Sequence, residues 1–258
     1  MNYLTIGTLW KDEHDVCEEF IDYHLNAIDG VDKIIIFDRE YHQIKKMIGD
    51  NPKVEVHHYP ESPVNLHHQA WVDIAKLVNG KTRWLSCIDA DQCLIPVQTK
   101  DMQSILKNYE DYAALQINWS TFTSNKQIDK LPGSLYERFT ESALTTEPVN
   151  KHTQFIIDPS KASSTKGSDP HTPSLLPGNI SVNTNKQIVH GPFSEPIDHS
   201  ILYCAHYINK SQEEYAKKQK KGRADIFGQF MPDMFKIHEF QNVKQDVRAK
   251  DLWLNRKK

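Results

Sequence analysis

No stretch of this chain approaches the ~20 consecutive apolar residues that a membrane-spanning helix requires. The opening Met1-Asn2-Tyr3-Leu4-Thr5-Ile6-Gly7 lacks the basic and then apolar build of a secretory signal and reads as an immediate strand, so a soluble, cytoplasmic chain is expected. Cysteine is scarce: Cys17, Cys87, Cys93 and Cys204 show no CxxC spacing and sit in apolar or helical stretches, which excludes a disulfide framework and favours reduced, buried thiols. Charge of one sign is missing too. With 31 Lys and Arg against 34 Asp and Glu, the net charge of -3 gives no reason to expect nucleic acid. The one basic run, Lys217 to Arg223, reads first as a solvated helix face. No glycine-rich phosphate loop and no internal repeat is present. Zinc is not expected from the adjacent pairs His57-His58 and His67-His68, because neighbours on a strand point to opposite faces.

What is there is enough for one domain over 1–258. Tyr3 to Leu9 reads as a strand, and Glu13 to Ala27 as a helix with acids in its first turn. Lys33 to Phe37 is a continuous apolar run, as a central parallel strand buried on both faces would be. A strand at Val54 to Tyr59, a helix from His67 to Val78 and a buried strand from Trp84 to Ile88 follow, an order β-α-β-β-α-β. Such an order predicts an α/β fold, a mostly parallel sheet flanked by helices, with ligands outside the strand C-termini. Residues 1–100 form one half in this reading, 101–230 a second half, and 231–258 a C-terminal tail that packs on the sheet or on a partner. Met102 to Asn108 is a short helix, Ala113 to Trp119 a strand, and 158–198 a long stretch rich in Pro, Gly and Ser, the kind of loop that is either functional or partly disordered. Ser211 and Glu214 fit a capping box that opens a helix ending at Gly222.

Ile88-Asp89-Ala90-Asp91 is the sharpest feature. Two carboxylates just past a buried strand repel one another and lose hydration, a cost that a hard divalent cation removes. Mg²⁺ or Mn²⁺ there would bridge the acids to phosphates and neutralise a leaving diphosphate.

Around that pair the sequence resembles the GT-A glycosyltransferases, most specifically the family 2-like and family 92 (DUF23-like) group. The likeness runs through Thr5-Ile6-Gly7, Lys11-Asp12-Glu13, Glu19 to His24, Gly30 to Asp38, Trp84 to Leu94, Asn118 to Phe122, Pro132 to Phe139, His206 to Tyr215 and Lys221-Gly222-Arg223. It implies a GT-A fold that takes a nucleotide-sugar donor, commonly a UDP-sugar, and a carbohydrate or glycan acceptor. Asp89 would lie nearer the ribose or diphosphate and Asp91 on the metal. Thr8, Leu9, Glu13 and Asp38 would hold the nucleotide, and His206 would be a third metal ligand. An imidazole ligand favours Mn²⁺ over Mg²⁺. His171, in Asp169-Pro170-His171-Thr172-Pro173, resembles the group's His-x-Pro element near the acceptor, and Trp119 offers a ring on which an acceptor sugar stacks. Lys210 and Arg223 would lie over the diphosphate. An inverting transfer needs a carboxylate base, for which Asp225, Glu137 and Glu141 are the candidates.

Gln92-Cys93 stands where the group usually has Glu-Phe, which removes one acid beside the metal, and Ser124-Asn125 replaces a glycine-containing turn. Two other classes share the Asp-x-Asp logic or the fold: a sugar-nucleotide hydrolase or nucleotidyltransferase, and a non-catalytic carbohydrate-binding relative, an option that Gln92 keeps open.

Overall fold

The structure is a computed structural model that describes residues 1–39, 41–60, 66–163, 169–222 and 234–257. Strands β1 (Asn2–Trp10), β2 (Val31–Asp38), β3 (Val54–His58) and β4 (Thr82–Cys87) alternate with helices α1 (His14–Asp22), α2 (Tyr41–Ile48) and α3 (Leu66–Val78). Then come β5 (Gln92–Pro96), α4 (Met102–Leu106), β6 (Ala114–Thr121), α5 (Leu135–Arg138), β7 (Glu141–Ala143), β8 (Thr153–Ile157) and β9 (Ser181–Val182). The described chain finishes with β10 (Leu202–His206), α6 (Gln212–Lys221), β11 (Val243–Gln245) and α7 (Arg248–Leu254).

Nine strands make one sheet in the order β3-β2-β1-β4-β8-β6-β10-β5, with β9 beside β6. The first four pair in parallel, β8 runs antiparallel between β4 and β6, and β10 runs parallel to β6 and antiparallel to β5. The expected α/β class, a mostly parallel sheet flanked by helices, is therefore what forms. Alternate residues of the central strands feed two cores. Leu4, Ile6, Trp10, Trp84 and Ile88 pack with Phe20 of α1, while Leu9, Leu85 and Cys87 pack with Trp71, Ile74 and Val78 of α3. Covering both faces suits the unalternated apolar runs that the strands carry. All four cysteines are buried and unpaired.

Some elements differ from expectation. Helix α1 begins at His14, and its last turn widens into a π-helix at Tyr23–Ala27. Helix α2, anchored by fully buried Ile44, adds a helix between the second and third strands. Strands β5, β8 and β10 are not legible in the sequence, because each is five residues of mixed or unalternated character, too short for periodicity to separate from a buried loop. The tail packs on this chain: β11 pairs with β7, Trp253 lies 5.3 Å from Tyr136, and Tyr203 donates to buried Asp246 at 2.8 Å.

Helix α6 is anchored at its first turn. Ser211 and Glu214 form the expected capping box. Glu214 also accepts both arms of the Arg138 guanidinium at 2.8 Å, an ion pair with side chains only 7% and 4% exposed. Buried two-pronged pairs of this kind fix orientation as well as distance. The pair bolts the first turn of α6 to α5.

This packing makes two outcomes testable. A Cβ at Gly7 would lie 2.9 Å from Ile74 Cγ2, a branched atom locked in the core, so Gly7→Ala is expected to cost about 1–3 kcal/mol. A lower urea midpoint at unchanged slope would show it. Burial pushes the Glu214 carboxyl up, but Arg138 and Ser211 together outweigh it and hold it at about 2, below the ordinary 4.5. A depressed pKa contributes stability that is full above the unfolded value and lost as pH falls toward the folded one. Melts between pH 4.5 and 2 are therefore expected to show this loss. Arg138→Met should destabilise at neutral pH by about 3–5 kcal/mol and flatten that part of the profile.

Candidate active site

β4 ends at Cys87, and the chain turns tightly through Asp89-Ala90-Asp91-Gln92, closed by a 3.0 Å bond from the Gln92 N–H to the Asp89 carbonyl. Two neighbours hold this turn. The Ile88 N–H donates to the Gly7 carbonyl of β1, and the Tyr207 N–H donates to the Asp91 carbonyl at 2.8 Å. Because β5 pairs with β10 in a register that sets His206 opposite Gln92, the end of β10 arrives beside the Asp-x-Asp turn.

Each acid has its own partners. Asp91 sits with Oδ2 2.6 Å from Lys218 Nζ and Oδ1 3.6 Å from His206 Nε2. Asp89 sits with Oδ1 2.8 Å from His67 Nε2 and Oδ2 3.3 Å from the Gln92 amide nitrogen. Burial raises both carboxyls, yet the pull of Lys218 and His206 on Asp91, and of His67 on Asp89, leaves both below the ordinary carboxylate value. Lys218 is raised: burial disfavours its charge, but Asp91 more than offsets that. His206 is lowered to about 4, mainly by burial, so at neutral pH it is an uncharged imidazole, the form that ligates metals. Its Nδ1 is buried without a hydrogen-bond partner.

The acids separate two environments. On one side lies a cleft of about 270 Å³, walled by Asp12 and Glu13 of the β1–α1 loop, by His14 and Asp15 of α1, and by Lys210, Lys217, Lys218 and Lys221, with Asp91 in its lining. Lys221 pairs with Glu13 across it, and Lys11 Nζ donates to the Lys221 carbonyl at 2.8 Å. On the other side Trp119 of β6 is ringed by histidines: His206 at 4.4 Å, His152 stacked at 4.7 Å and His171 edge-on at 5.0 Å between ring centroids. Indole Nε1 of Trp119 and Nδ1 of His152 join His206 Nδ1 as buried nitrogens without partners, a pattern common where a ligand supplies them. An amide chain links this side to Asp89. Gln92 Oε1 accepts from the Asp89 N–H and, at 2.6 Å, from Gln154 Nε2, while Gln154 Oε1 lies 3.3 Å from His171 Nδ1.

The expected site residues fall into groups. Asp89, Asp91, His206, Trp119 and His171 come together, and Glu13 and Lys210 line the adjoining cleft. Thr8 and Leu9 end up inside the protein: the Thr8 hydroxyl accepts from the Trp10 indole at 2.7 Å, and Leu9 lies in the core under α3. Asp38 closes β2 fully buried. Glu137 is spent on capping α5 through Ser134 and on the Trp253 indole, in a separate depression with Glu18, Glu19 and Asp22. Glu141 opens β7, where its backbone pairs with Gln245. Arg223 and Asp225 lie outside the described residues. His67, Gln154 and Lys218 join the site without having been expected there. In sequence His67 reads only as half of an adjacent pair, and Lys218 only as one of a charged run.

Two carboxylates and a neutral imidazole suit a divalent cation chemically, Mn²⁺ better than Mg²⁺. The donors are not preassembled, however: among the described residues no three carboxylate, imidazole or thiol groups converge as a cation site. Lys218 holds Oδ2 of Asp91, and His206 faces the other oxygen, Oδ1. Among the described residues no helix is long and apolar enough to cross a membrane.

No protein-family model matches the chain, and no curated protein matches it in sequence. Solved structures do resemble it. Residues 1–349 of S. aureus TarS align with a TM-score of 0.42 and 9% identity over 65% of this chain and 52% of that one, so the chain spans about half of that protein's length. A 4-diphosphocytidyl-2C-methyl-D-erythritol synthase from Anaerococcus prevotii aligns with a TM-score of 0.34 and 12% identity, over 66% of this chain and 79% of the other. These scores are low, and the likeness extends to neither a residue nor an activity.

Proposed function

We propose that this chain is a GT-A glycosyltransferase that moves a sugar from a nucleoside diphosphate donor, most simply a UDP-sugar, to a hydroxyl of a carbohydrate acceptor. The observation that carries the reading is the pair of half-buried Asp89 and buried Asp91 at the end of β4, set between a lysine-lined cleft and a cluster of Trp119 with histidines. Ligands of α/β sheets gather at this edge, and the two environments suit a diphosphate on one side and an acceptor sugar on the other. The lysines of α6 offer charge for a diphosphate, and the unpartnered ring nitrogens of Trp119, His152 and His206 offer hydrogen-bonding groups for sugar hydroxyls. The family 2-like or family 92 kinship belongs to the same proposal.

Asp91, Asp89 and His206 are the residues that would hold a divalent cation, Mn²⁺ or Mg²⁺. Bound there, it would supply positive charge to offset that of a departing diphosphate. The chain's own residues do the rest. His67 and Gln92 orient Asp89, Lys210 and Lys218 face the diphosphate, and Trp119 and His171 receive the acceptor. Of the carboxylates expected as base, Glu137 is committed to a helix cap, and the proposal for an inverting transfer keeps Asp225.

A sugar-nucleotide hydrolase or nucleotidyltransferase would use the same pair of acids, and products separate the three. Transfer releases UDP from a UDP-sugar only when an acceptor is present, hydrolysis releases it without one, and nucleotidyl transfer makes or consumes pyrophosphate. UDP with Mn²⁺ at ~100 times its Kd is expected to raise the melting temperature by about 5–10 °C, and Asp91→Asn to abolish the metal-dependent part. No stabilisation of the unaltered protein by any nucleoside diphosphate, with or without metal, would refute the reading. Asp225→Asn is expected to keep UDP binding while lowering kcat by about 10²–10⁴.

A further inference from the structure

Lys218 is not a loose surface lysine. It stands on a helix whose first turn is fixed by the Ser211–Glu214 capping box and the buried Arg138 fork. Its ammonium lies 2.6 Å from Asp91 Oδ2 and 3.3 Å from the Ile208 carbonyl, with a side chain 27% exposed against 10% for Asp91. One turn on, Lys221 pairs with Glu13 on the opposite wall of the cleft. A buried carboxylate left alone is costly, and this fixed ammonium neutralises it in the absence of any other cation.

From this we propose, resting on the donor-site reading, that Lys218 is an internal counter-cation that competes with the divalent metal for Asp91, so that metal and nucleoside diphosphate bind cooperatively. The reason is electrostatic. A divalent cation and an ammonium on one carboxylate repel each other, and the low-dielectric surroundings of Asp91 leave that repulsion weakly screened. A metal binding alone at Oδ1, the oxygen that faces His206, must therefore bear the repulsion of Lys218 on Oδ2 or displace it. Lys218 also lines the cleft assigned to the diphosphate, whose negative charge offers the released ammonium a new partner. Each ligand then assists the other, and by linkage the assistance is mutual.

The test is Mn²⁺ binding to the full chain, followed by the electron paramagnetic resonance of the free ion, with and without UDP. Lys218→Met and Lys218→Gln remove the charge and keep a comparable stem. Lys218→Arg keeps the charge. In the absence of UDP, both neutral variants are expected to bind Mn²⁺ at least about tenfold more tightly than the unaltered chain, and Lys218→Arg to stay weak. The gain in Mn²⁺ affinity on adding UDP is expected to be large in the unaltered chain and to shrink in the neutral variants. Folding of each variant is checked by cooperative melting, and having two neutral variants guards against loss of one. Equal or weaker Mn²⁺ binding by the folded neutral variants overturns the proposal, and so does an absence of Mn²⁺ binding in every protein. The donor-site reading is judged separately, by stabilisation of the unaltered chain with UDP, and survives either of those results if that stabilisation is present.

Discussion

The site depends on one constraint: Asp91 is a carboxylate placed where water scarcely reaches it, at the C-terminal end of a parallel sheet, and its charge must be met by protein. The chain meets it with an ammonium from sequence-distant α6, and much of the neighbouring architecture serves to hold that helix in place. Ser211 and Glu214 cap it, Arg138 clamps Glu214 from α5, and Lys221 ties its last turn to Glu13. Without the clamp, the first turn of α6 would be free to shift, and Asp91 would lose the group that keeps it ionised. The ion pair at Asp91 and the ion pair at Glu214 are therefore one device: the second positions the donor of the first.

Charge is sorted across the acids. On the cleft side, lysines and carboxylates are exposed enough to exchange partners with a ligand. On the Trp119 side, burial lowers His171 and His206 to about 4 and His152 below its ordinary value, so the rings are neutral at physiological pH. A protonated cluster of three imidazoles would add mutual repulsion beside any bound cation. Neutral rings instead offer lone pairs and N–H groups, which suit both metal ligation and sugar hydroxyls. In the proposed reading, the polar diphosphate and the less polar sugar meet surfaces of matching character on either side of Asp89 and Asp91.

The parallel half of the sheet is largely legible in the sequence because β1, β2 and β4 are apolar runs and α1 and α3 have clear period, and Asp89 stands out because a buried strand runs straight into it. The antiparallel half is not. β10 reads Leu202-Tyr203-Cys204-Ala205-His206, five residues without alternation, yet its insertion between β5 and β6 carries His206 to Asp91. That His206 belongs near the acids comes from resemblance, and the strand pairing supplies the physical route. Lys218 is hidden for a different reason. Within Lys217 to Lys221 every lysine looks alike in sequence, and only the helical rotation fixed by the capping box decides which one faces Asp91 while Lys217 turns to exposed Glu213.

Gln92 shows how a departure from a familiar pattern is resolved by geometry. An acid at this position would be a third carboxylate at the turn, close enough to Asp89 Oδ2 for the like charges to repel strongly. The amide does the opposite: its nitrogen donates to Asp89 Oδ2 at 3.3 Å, and its oxygen accepts from the Asp89 N–H at 3.2 Å. The same oxygen accepts from Gln154, and that orients the second amide so that its own oxygen faces His171 Nδ1. A neutral imidazole next to a carbonyl oxygen carries its proton on the facing nitrogen. The chain of amides thus favours the Nδ1–H tautomer of His171, with Nε2 as the lone-pair acceptor. Gln92 therefore does more than fill the place of an acid: it holds Asp89 in position and sets the protonation pattern of a ring on the other side of the site.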